Sequence, residues 1–272
     1  MSDLYAVIGN PISHSKSPLI HTEFARQTKQ AMHYNALLAP LDGFAPTVKS
    51  FHQQGGKGMN ITVPFKLEAF DLSTQLTERA KLAQAVNTLM LDGDQLLGDN
   101  TDGAGLVRDI TFNLEASITE KRILLMGAGG AACGVILPLL EHQPAVLAIA
   151  NRTAVKAQDL KQKFSDYGQV MAGSYADFVD GNFDIIINAT SASLNDELPQ
   201  LPAGIFNDNS LAYDMMYSNK PTRFLIYAKQ QGVKHLADGI GMLVEQAAES
   251  FYLWRGIRPN TKNVIPLLNP TR

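Results

Sequence analysis

The sequence predicts an α/β protein in two domains. Short apolar runs alternate with segments whose apolar positions recur at helical spacing, which is typical of strands separated by helices. Most of these runs lack period-2 alternation, as expected of parallel strands that are buried on both faces. The length of 272 residues suits one large domain or two ordinary ones and favours two.

The first hundred residues are predicted to alternate between strand and helix. In chain order we expect strand 4–8, helix 18–28, strand 33–38, helix 43–54 and strand 58–62, with Pro64 in the first turn of a further helix. Residues 87–91 and 95–97 flank Asp92-Gly93-Asp94 and predict a hairpin with an Asp-Gly turn. A helix from 103 to about 113 follows.

A polar stretch at 115–122 predicts a domain boundary, and regular alternation resumes after it. The expected elements are strand 123–126, helix 130–141, strand 145–150, helix 153–164, strands 183–188 and 211–215, helix 222–231 and a last helix 241–254. In the last helix, Glu245, Gln246 and Glu249 fall on successive turns. That helix could also pack back on the first domain.

Charge and cysteine content exclude several classes of protein. The formal net charge is −3 with a pI near 6.1, which lacks the basic footprint of a nucleic-acid binder. Cys133 is the only cysteine, so no internal disulfide or cysteine-based zinc site is expected; we interpret it as a small core residue in a cytoplasmic protein. The six histidines form no i, i+4 pair, and no metal site is predicted.

An uncharged run at 123–140 reaches the length of a membrane span. Its four glycines and Pro138 favour a strand, a tight turn and a buried helix instead. No second such run and no aromatic flanking pattern accompany it, so no membrane association is expected.

The glycine turn in this run has the spacing G-x-G-x-x-A. Gly127 would make the tight turn, Gly129 would let a pyrophosphate approach the backbone, and Ala132 would allow close helix packing. The next strand follows within roughly 30 residues, as a mononucleotide-binding unit requires. The residues expected to contact the phosphates are Gly127, Ala128, Gly129, Gly130 and Ala131.

The end of the next strand indicates which dinucleotide binds. An NAD site usually carries an acidic residue there, whereas this chain has Asn151-Arg152-Thr153, followed by Lys156. Arg152 can bind a 2′-phosphate and stack on adenine, so NADP(H) is the predicted cofactor. The alternative is a simple helix N-cap at Thr153 with a solvated arginine.

Polar residues are concentrated where strands of the first domain end. Ser13, Ser15 and Ser17 follow the first strand, Asn60 and Thr62 end another, and Asn87 lies in the hairpin. Ligands of open α/β sheets bind at such ends, and hydroxyls and amides suit a polyhydroxylated or carboxylated small molecule. For any single residue, local turn chemistry is the alternative.

Lys66 and Asp102 are the candidate catalytic pair. Lys66 is predicted in the first turn of a helix, where the macrodipole disfavours a cation by about 0.3–1 kcal/mol. This location favours the neutral amine and suits a group that exchanges a proton with an alcohol. Asp102, in Gly98-Asp99-Asn100-Thr101-Asp102-Gly103, is the expected partner. The alternatives are a surface amine and a helix-start acid.

Several motifs together resemble the shikimate dehydrogenase family over nearly the whole chain. They are GNPISHSKSP (9–18), GGKGMNITVPFK (55–66), AVNTL (85–89), GDNTDG (98–103), GAGGA (127–131), NRT (151–153), INATS (187–191) and DGIGMLVEQAA (238–248). The resemblance implies reversible NADPH-dependent reduction of 3-dehydroshikimate to shikimate, in chorismate and aromatic amino acid biosynthesis. The alternatives are a quinate/shikimate dehydrogenase of broader specificity and a non-catalytic nucleotide sensor. A small-molecule substrate is expected, with the chain a monomer or homodimer.

The resemblance also implies roles for individual residues. Ser15 and Ser17 would hold the substrate carboxylate with help from Tyr217; Thr62, Asn87, Asp102 and Gln246 would bind the ring hydroxyls, with Asn60 among the substrate residues; and Lys66 would lie beside the oxidised carbon. On the cofactor side, Met215 and Gly239 would lie near the nicotinamide, with Thr190 also at the cofactor and Glu78 at the edge of the cleft. The chain departs from the family pattern at Ala192-Ser193, where glycine is frequent, and at Arg223, where proline is common.

In that family the C-terminal helix returns to the substrate domain. The resemblance therefore implies a discontinuous α/β substrate-binding domain, 1–103 plus 239–272, and a Rossmann-type NADP domain, 104–238, with a doubly wound parallel sheet and a cleft between the domains.

Overall fold

The structure is a computed structural model that describes residues 2–268. The chain forms two compact units. The first unit ends at Gly105 and resumes at Leu243, and the second unit is Leu106–Met242. The family resemblance implies boundaries after 103 and after 238, a few residues earlier, whereas the polar stretch at 115–122, expected from composition to mark a boundary, lies within the second unit. In the structure both crossings lie inside helices rather than in loops.

The first unit begins with ten strands and helices that largely match the predicted alternation. They are β1 Asp3–Gly9, α1 Ser17–Thr28, β2 Met32–Leu38, α2 Phe44–Gln53, β3 Gly56–Ile61, α3 Lys66–Leu72, β4 Gln75–Leu76, α4 Glu78–Ala83, β5 Thr88–Asp92 and β6 Gln95–Asp99. Helix α5, Asp102–Arg108, then leads into the second unit and continues as one π-helical turn, Asp109–Asn113.

The second unit and the return to the first complete the chain. The elements are β7 Arg122–Met126, α6 Gly130–Glu141, β8 Val146–Ala150, α7 Ala154–Phe164, β9 Val170–Gly173, β10 Phe183–Asn188, β11 Phe206–Asp214, α8 Arg223–Gln230, β12 His235–Ala237, α9 Ile240–Arg255 and α10 Ile265–Leu268. Short 3₁₀ turns lie at Ser165–Tyr167, Tyr175–Phe178 and Ala192–Asn195.

Two sequence-based placements and one expected capping contact need correction. Pro64 precedes α3 because a turn closed by the N–H of Phe65 and the carbonyl of Thr62 contains it (3.0 Å). Asn87 comes just before β5 rather than inside it. Thr153 does occupy the N-cap position of α7, but its side chain makes no capping hydrogen bond.

The first sheet has the order β2-β1-β3-β5-β6-β4. Strand β1 is parallel to β2 and β3, whereas β5 is antiparallel to both β3 and β6. The carboxyl ends of β1, β3 and β6 therefore meet the start of β5 at one edge. Helix α9 packs on α1 in this unit through an apolar cluster that includes Ile20, Phe24, Val244, Ala247 and Phe251.

The second sheet is wholly parallel, with the order β12-β11-β10-β7-β8-β9. If β7 is numbered 1 and the sheet is read from its β9 edge, this is the 3-2-1-4-5-6 order of a doubly wound dinucleotide-binding fold. The fold class predicted from the sequence is confirmed. The uncharged run forms β7, the glycine turn and α6, and no helix among residues 2–268 is long and apolar enough to cross a membrane.

Cys133 lies on α6 and is buried, as predicted for a core residue. Burial raises the pKa of its thiol, which keeps the sulfur in the protonated and less nucleophilic form. The position therefore behaves as part of the helix packing.

His21 is a titratable group within the core of the first unit. Its ring is fully buried, stacks on Tyr34 at 4.2 Å between centroids, and lies 5.4 Å from Trp254. Burial lowers the pKa of His21 to about 3, against a smaller opposing contribution from Asn60. The imidazole is therefore neutral in the folded protein at ordinary pH.

This burial predicts a loss of stability in acid. The unfolded chain takes up a proton on His21 below its ordinary pKa of 6.5, whereas the folded chain does so only near 3. The loss of stability caused by His21 is absent well above pH 6.5 and grows as the pH falls towards 3. Between about pH 7.5 and about pH 5, His21 should lower the free energy of unfolding by up to about 2 kcal/mol. Urea unfolding at both pH values measures this.

The matched variants are His21→Leu and His33→Leu, the latter on the exposed face of β2. His21→Leu should flatten the pH dependence over this range, and His33→Leu should leave it as in the original chain. An unchanged acid dependence in His21→Leu would show that other groups cause it.

Candidate functional site

The polar residues of the first unit meet because of the strand directions in its sheet. Ile8 pairs with Ile61, Asn60 with Thr88, and Thr88 with Asp99, so these ends lie side by side. The residues that follow β1, β3 and β6, and the residue that precedes β5, are thus gathered at one edge. Most of the predicted substrate residues belong to these segments.

Asn87 is the centre of this edge. Its side chain is 3% exposed, and its amide donates to Asp102 Oδ1 at 2.8 Å and to Gln246 Oε1 at 3.4 Å. Its carbonyl oxygen accepts from the backbone N–H and the hydroxyl of Thr101, at 2.9 and 3.1 Å, and from the Thr88 hydroxyl. The Asn87 carboxamide therefore aligns the Asp102 carboxylate, the Gln246 amide and the turn that contains Thr101.

Lys66 and Asp102 are in direct contact. The Lys66 ammonium donates to Asp102 Oδ2 at 2.5 Å, while the other oxygen of this carboxylate accepts from Asn87. The side chains are 34% and 20% exposed, so the pair is sheltered but open to solvent on one side. Lys66 is the first residue of α3 and Asp102 the first of α5. A lysine held at this orientation can exchange a proton with a hydroxyl group placed beside it.

Helix α9 brings Gln246 to the same edge. Its side-chain oxygen also accepts from the Thr101 hydroxyl at 3.4 Å, and its amide donates to the carbonyl of Leu243 in its own helix at 2.8 Å. Ser250, one turn further on, lies 2.7 Å from the Thr88 hydroxyl and accepts from the Asn60 amide at 2.9 Å. The site is thus built from segments far apart in the sequence.

Sequence reasoning missed Thr101 and Ser250. Thr101 stands inside the motif that supplied Asp102, and Ser250 follows Gln246 at i+4 on the same face of α9. Those spacings are the only sequence signals for them, because serine and threonine also occur throughout ordinary helices and turns. Their contacts depend on the antiparallel strand β5 lying between two parallel neighbours.

An ion network anchors the turn that carries Asp102. Arg79 donates to both oxygens of the buried Asp99 carboxylate, at 2.7 and 2.5 Å, and to Glu249 at 3.1 Å. Burial would raise the pKa of Asp99, but Arg79, the Thr77 hydroxyl and the N–H of Asn100 together hold the pKa below its ordinary value. Glu249 also contacts Arg258. Glu78, predicted at the cofactor, is the exposed first residue of α4 in this same region.

Asn60 is buried within the protein rather than open to a ligand. Its side chain is 5% exposed and accepts from Tyr34 at 2.7 Å, while its amide donates to Ser250 and Thr88. Every polar atom of this side chain is therefore engaged by neighbours. This geometry favours a supporting role over direct contact with a substrate.

Ser15, Ser17 and Thr62 stand at the same edge of the sheet. The Ser15 hydroxyl accepts from the backbone N–H of Ser17 at 3.3 Å, and Ser17 begins α1 with its side chain against Tyr34. Thr62 follows β3 with its methyl group packed so closely on Gly9 that a Cβ there would lie 2.4 Å away. Ser15 and Thr62 are half-buried, which leaves surface for a ligand.

The glycine turn of the second unit joins β7 to α6. Gly127 has a φ of +108°, and an added Cβ would lie 3.1 Å from the carbonyl oxygen of Ala189, so the backbone itself requires glycine. Gly129 and Gly130 have neither restriction, because a Cβ at either would meet no atom within 4 Å. Because neither residue carries a side chain, the space beside the turn stays open. Ala128 is half-buried and Ala131 exposed.

This space fits a dinucleotide pyrophosphate. Gly129 is the N-cap of α6 and offers no side-chain cap, and the first turn contains no acidic residue. The free N–H groups and the helix dipole therefore favour an anion at this helix start. Asn151, Arg152, Thr153 and Lys156 stand after the adjacent strand β8; Arg152 and Lys156 are exposed cations at the start of α7, which also lacks an acidic first turn. The first turn of α7 therefore carries no carboxylate that would repel a 2′-phosphate.

Thr190, Met215 and Gly239 follow neighbouring strands of this sheet. Thr190 comes after β10, Met215 after β11 and Gly239 after β12. Thr190 donates its hydroxyl to Asn188 at 2.7 Å, and the N–H of Gly239 donates to the carbonyl of Met216 at 3.1 Å. Tyr217 is 37% exposed, and burial together with the Asp238 carboxylate raises the pKa of its phenol.

Metal-ligand clusters are absent from residues 2–268: no three His, Cys, Asp or Glu side chains there are placed to hold an ion. The arrangement offers instead a cation paired with a carboxylate beside amides and hydroxyls in the first unit, and an anion-binding turn in the second.

Comparisons with known proteins place this arrangement in a family. Three family models match successive parts of the chain: a shikimate dehydrogenase substrate binding domain over residues 7–89, a shikimate/quinate 5-dehydrogenase model over residues 110–195, and a shikimate 5′-dehydrogenase C-terminal domain over residues 239–268.

Relatives of high similarity cover almost the full length. Shikimate dehydrogenase (NADP(+)) of Nitrosospira multiformis is 65% identical over 98% of each chain. Among solved structures, an Ael1 enzyme from Pseudomonas putida superimposes with a TM-score of 0.94 at 48% identity and covers 98% of each chain. Shikimate 5-dehydrogenase from Thermus thermophilus in complex with NADP(H) and shikimate has a TM-score of 0.85 at 28% identity over 97% of each chain. On the matched models and these identities, the chain belongs to the shikimate dehydrogenase family.

Proposed function

We propose that this protein catalyses the reversible NADPH-dependent reduction of 3-dehydroshikimate to shikimate in chorismate and aromatic amino acid biosynthesis. The observation that carries the proposal is the 2.5 Å contact of Lys66 with Asp102, set beside the Asn87 and Gln246 side chains. A cation and a carboxylate next to amide groups suit proton exchange on one hydroxyl of a polyhydroxylated ring. Family membership supplies the substrate class.

Substrate recognition is proposed for the first unit. Thr62, Asn87, Asp102 and Gln246 would bind the ring hydroxyls, and Ser15 and Ser17 would bind the carboxylate. Tyr217, a residue of the second unit, is proposed to assist at the carboxylate. Asn60 would act through Tyr34, Thr88 and Ser250, to which it is bonded, and hold the edge of the sheet in place. The hydroxyls of serine and tyrosine are neutral groups that can donate hydrogen bonds to the carboxylate.

Cofactor binding is proposed for the second unit. The glycine turn Gly127–Ala131 would hold the pyrophosphate, while Asn151, Arg152, Thr153 and Lys156 would hold the adenosine 2′-phosphate. Thr190, Met215 and Gly239 would lie along the nicotinamide, and Glu78 of the first unit is proposed as a further cofactor residue. NADPH, when bound, supplies a hydride to the C3 carbonyl carbon of the substrate.

The protein's own chemistry is then proton transfer and orientation. As the carbonyl oxygen gains negative charge, the Lys66 ammonium donates a proton to it or stabilises it. Asp102 holds the ammonium through one oxygen while Asn87 fixes the other, so the lysine stays aligned. In the oxidative direction the same pair accepts the hydroxyl proton, and the two groups act as a coupled unit. We further propose a cytoplasmic enzyme that works as a monomer or homodimer on this small molecule.

A cross of cofactors and substrates tests the proposal directly. Oxidation of shikimate and of quinate with NADP⁺ and with NAD⁺ is followed at the nicotinamide absorbance band. We expect the highest kcat/KM for shikimate with NADP⁺, because Arg152 and Lys156 favour a 2′-phosphate. Comparable rates with quinate would indicate the broader quinate/shikimate specificity, and no turnover with any pair would indicate a nucleotide sensor.

Removal of the Lys66 ammonium tests the proton-transfer role. Lys66→Ala should lower kcat by about two to four powers of ten, the range for lost acid/base catalysis, with a much smaller change in the KM for shikimate. Steady-state kinetics measure both constants. Lys57→Ala, at an exposed position on β3, is the matched control and should retain full turnover. Near-normal kcat in Lys66→Ala would remove this residue from the mechanism.

Removal of the Arg152 guanidinium tests the cofactor preference. Arg152→Ala should raise the KM for NADPH by about tenfold or more, since a charge-assisted contact contributes about 1.5–3 kcal/mol. The KM for NADH, which has no 2′-phosphate, should change little and serves as the control within the same variant. Equal KM values for NADPH before and after the substitution would contradict the assignment.

A further inference from the structure

Asp214 is a fully buried carboxylate at the carboxyl end of β11, and the mechanism above gives it no role. One of its oxygens accepts from the hydroxyls of Ser193 and Thr222, both at 2.6 Å, and from the amide of Asn188 at 3.2 Å. The other accepts from the backbone N–H of Met216 at 3.0 Å. Both oxygens act as acceptors, as an ionised carboxylate requires.

These contacts connect the residues proposed at the nicotinamide. Asn188 accepts from the backbone N–H and the hydroxyl of Thr190, at 3.1 and 2.7 Å, and its own backbone carbonyl accepts from the N–H of Met215 at 3.0 Å. The carbonyl of Met216 accepts from the N–H of Gly239. A continuous series of hydrogen bonds therefore runs from Thr190 through Asn188, Asp214 and Met216 to Gly239.

Close packing reinforces the end of this series at Gly239. A Cβ on Gly239 would lie 2.1 Å from the carbonyl oxygen of Met215, so the backbone after β12 lies directly on the backbone after β11. A shift of Met215 would therefore be transmitted to Gly239, and the position of Met216 relative to β11 depends on Asp214.

The segment after β10 has a second attachment of lower strength. Arg223 donates to both oxygens of Asp196, at 3.1 and 3.0 Å, but the two side chains are 54% and 74% exposed. An exposed ion pair contributes about 0–1 kcal/mol, whereas leaving buried donors without their acceptor costs about 1–3 kcal/mol for each group. The buried Asp214 carboxylate therefore fixes this segment more firmly than the surface pair does.

We infer that Asp214 is a positioning residue, which sets the nicotinamide side of the cofactor site by holding Thr190, Met215 and Gly239 in one register. The inference rests on the proposed NADPH-dependent function. Asp214 reaches the reaction through these neighbours, since its own oxygens are filled by protein donors. Ser193, at a position where the chain departs from the family pattern, contributes one of the shortest of these contacts.

Asp214→Asn is the sharpest variant because it keeps the size of the side chain. An amide has one acceptor oxygen and one NH₂ group, so it cannot accept from the hydroxyl pair and from the N–H of Met216 at the same time. We expect kcat/KM for NADPH to fall by about tenfold to a hundredfold, which corresponds to the loss of one or two hydrogen bonds to a charged group. Stopped-flow and steady-state kinetics provide these constants.

A cofactor fragment separates positioning from a general structural effect. 2′,5′-ADP carries the adenosine and the 2′-phosphate but no nicotinamide, and its binding is measured by isothermal titration calorimetry. Asp214→Asn should bind 2′,5′-ADP with unchanged affinity while kcat/KM for NADPH falls. A parallel loss of 2′,5′-ADP binding would show that the whole unit is perturbed, and unchanged kcat/KM would show that Asp214 positions nothing; either result overturns the inference.

Two further variants complete the experiment. Ser193→Ala removes a single donor and should give a smaller effect in the same direction, which keeps the inference testable if Asp214→Asn does not fold. Asp184→Asn changes an aspartate at the other end of the adjacent strand β10, where it accepts from the N–H of Arg122 at 2.9 Å, and should leave both measurements unchanged. If the unsubstituted protein binds neither NADPH nor 2′,5′-ADP, the proposed function fails, a result distinct from failure of the Asp214 inference.

Discussion

The carboxamide of Asn87 is the interaction on which the arrangement of the first unit depends. It lies at the start of β5, between two strands that both run in the direction opposite to β5. It bonds to a residue on α5, a residue on α9 and the turn after β6. Because the group is almost fully buried, each of its polar atoms needs a partner, and an unpaired one would cost about 1–3 kcal/mol. Correct placement of Asp102 and Gln246 is thus coupled to folding: a shifted turn or helix would leave the amide unsatisfied.

The two sheets place their functional groups by different means. In the second unit all strands run in one direction, so the loops after β7, β8, β10 and β11 reach the same edge, and the order reverses between β7 and β10. In the first unit the antiparallel strand β5 contributes its beginning to an edge formed by the ends of its neighbours. A hairpin therefore lets the residue before a strand, Asn87, join residues that follow strands.

The sequence predicts the larger elements well and the short ones poorly. Long apolar runs and helical periodicity identify β7, α6, β8, α7 and α9, because burying such segments determines their conformation. The strands β4 and β12 contain two and three residues, too few for any periodic signal. Their pairing comes from the neighbouring strand, a long-range effect that local sequence does not contain.

Motif spacing selects Lys66, Asp102 and the glycine turn as candidate site residues, but spacing does not distinguish an amide that binds a ligand from one that only supports the fold. Asn60 and Asn87 both lie at strand ends, and both are buried and bonded by protein groups; they differ in their partners, since Asn60 bonds to Tyr34 and Ser250 whereas the Asn87 amide donates to Asp102. Asp214 illustrates the same limit, since an aspartate at the end of an apolar strand gives no sign that three side chains converge on it. Such roles follow from neighbours supplied by distant segments.

Asp99 and Asp102 lie close together in the chain but differ in how firmly their carboxylates are held. Asp99 is 1% exposed and paired with both ends of the Arg79 guanidinium, and removing one partner of such a buried pair is strongly destabilising, by about 3–5 kcal/mol. Asp102, in the next turn of chain, is paired with a single ammonium and is 20% exposed. A bidentate buried pair holds its atoms in one geometry, whereas a half-exposed contact with lysine can be exchanged for a contact with a ligand hydroxyl. The strong pair therefore fixes the backbone from which the weaker pair would reach the proposed substrate, and Lys66 keeps its orientation without being locked to its partner.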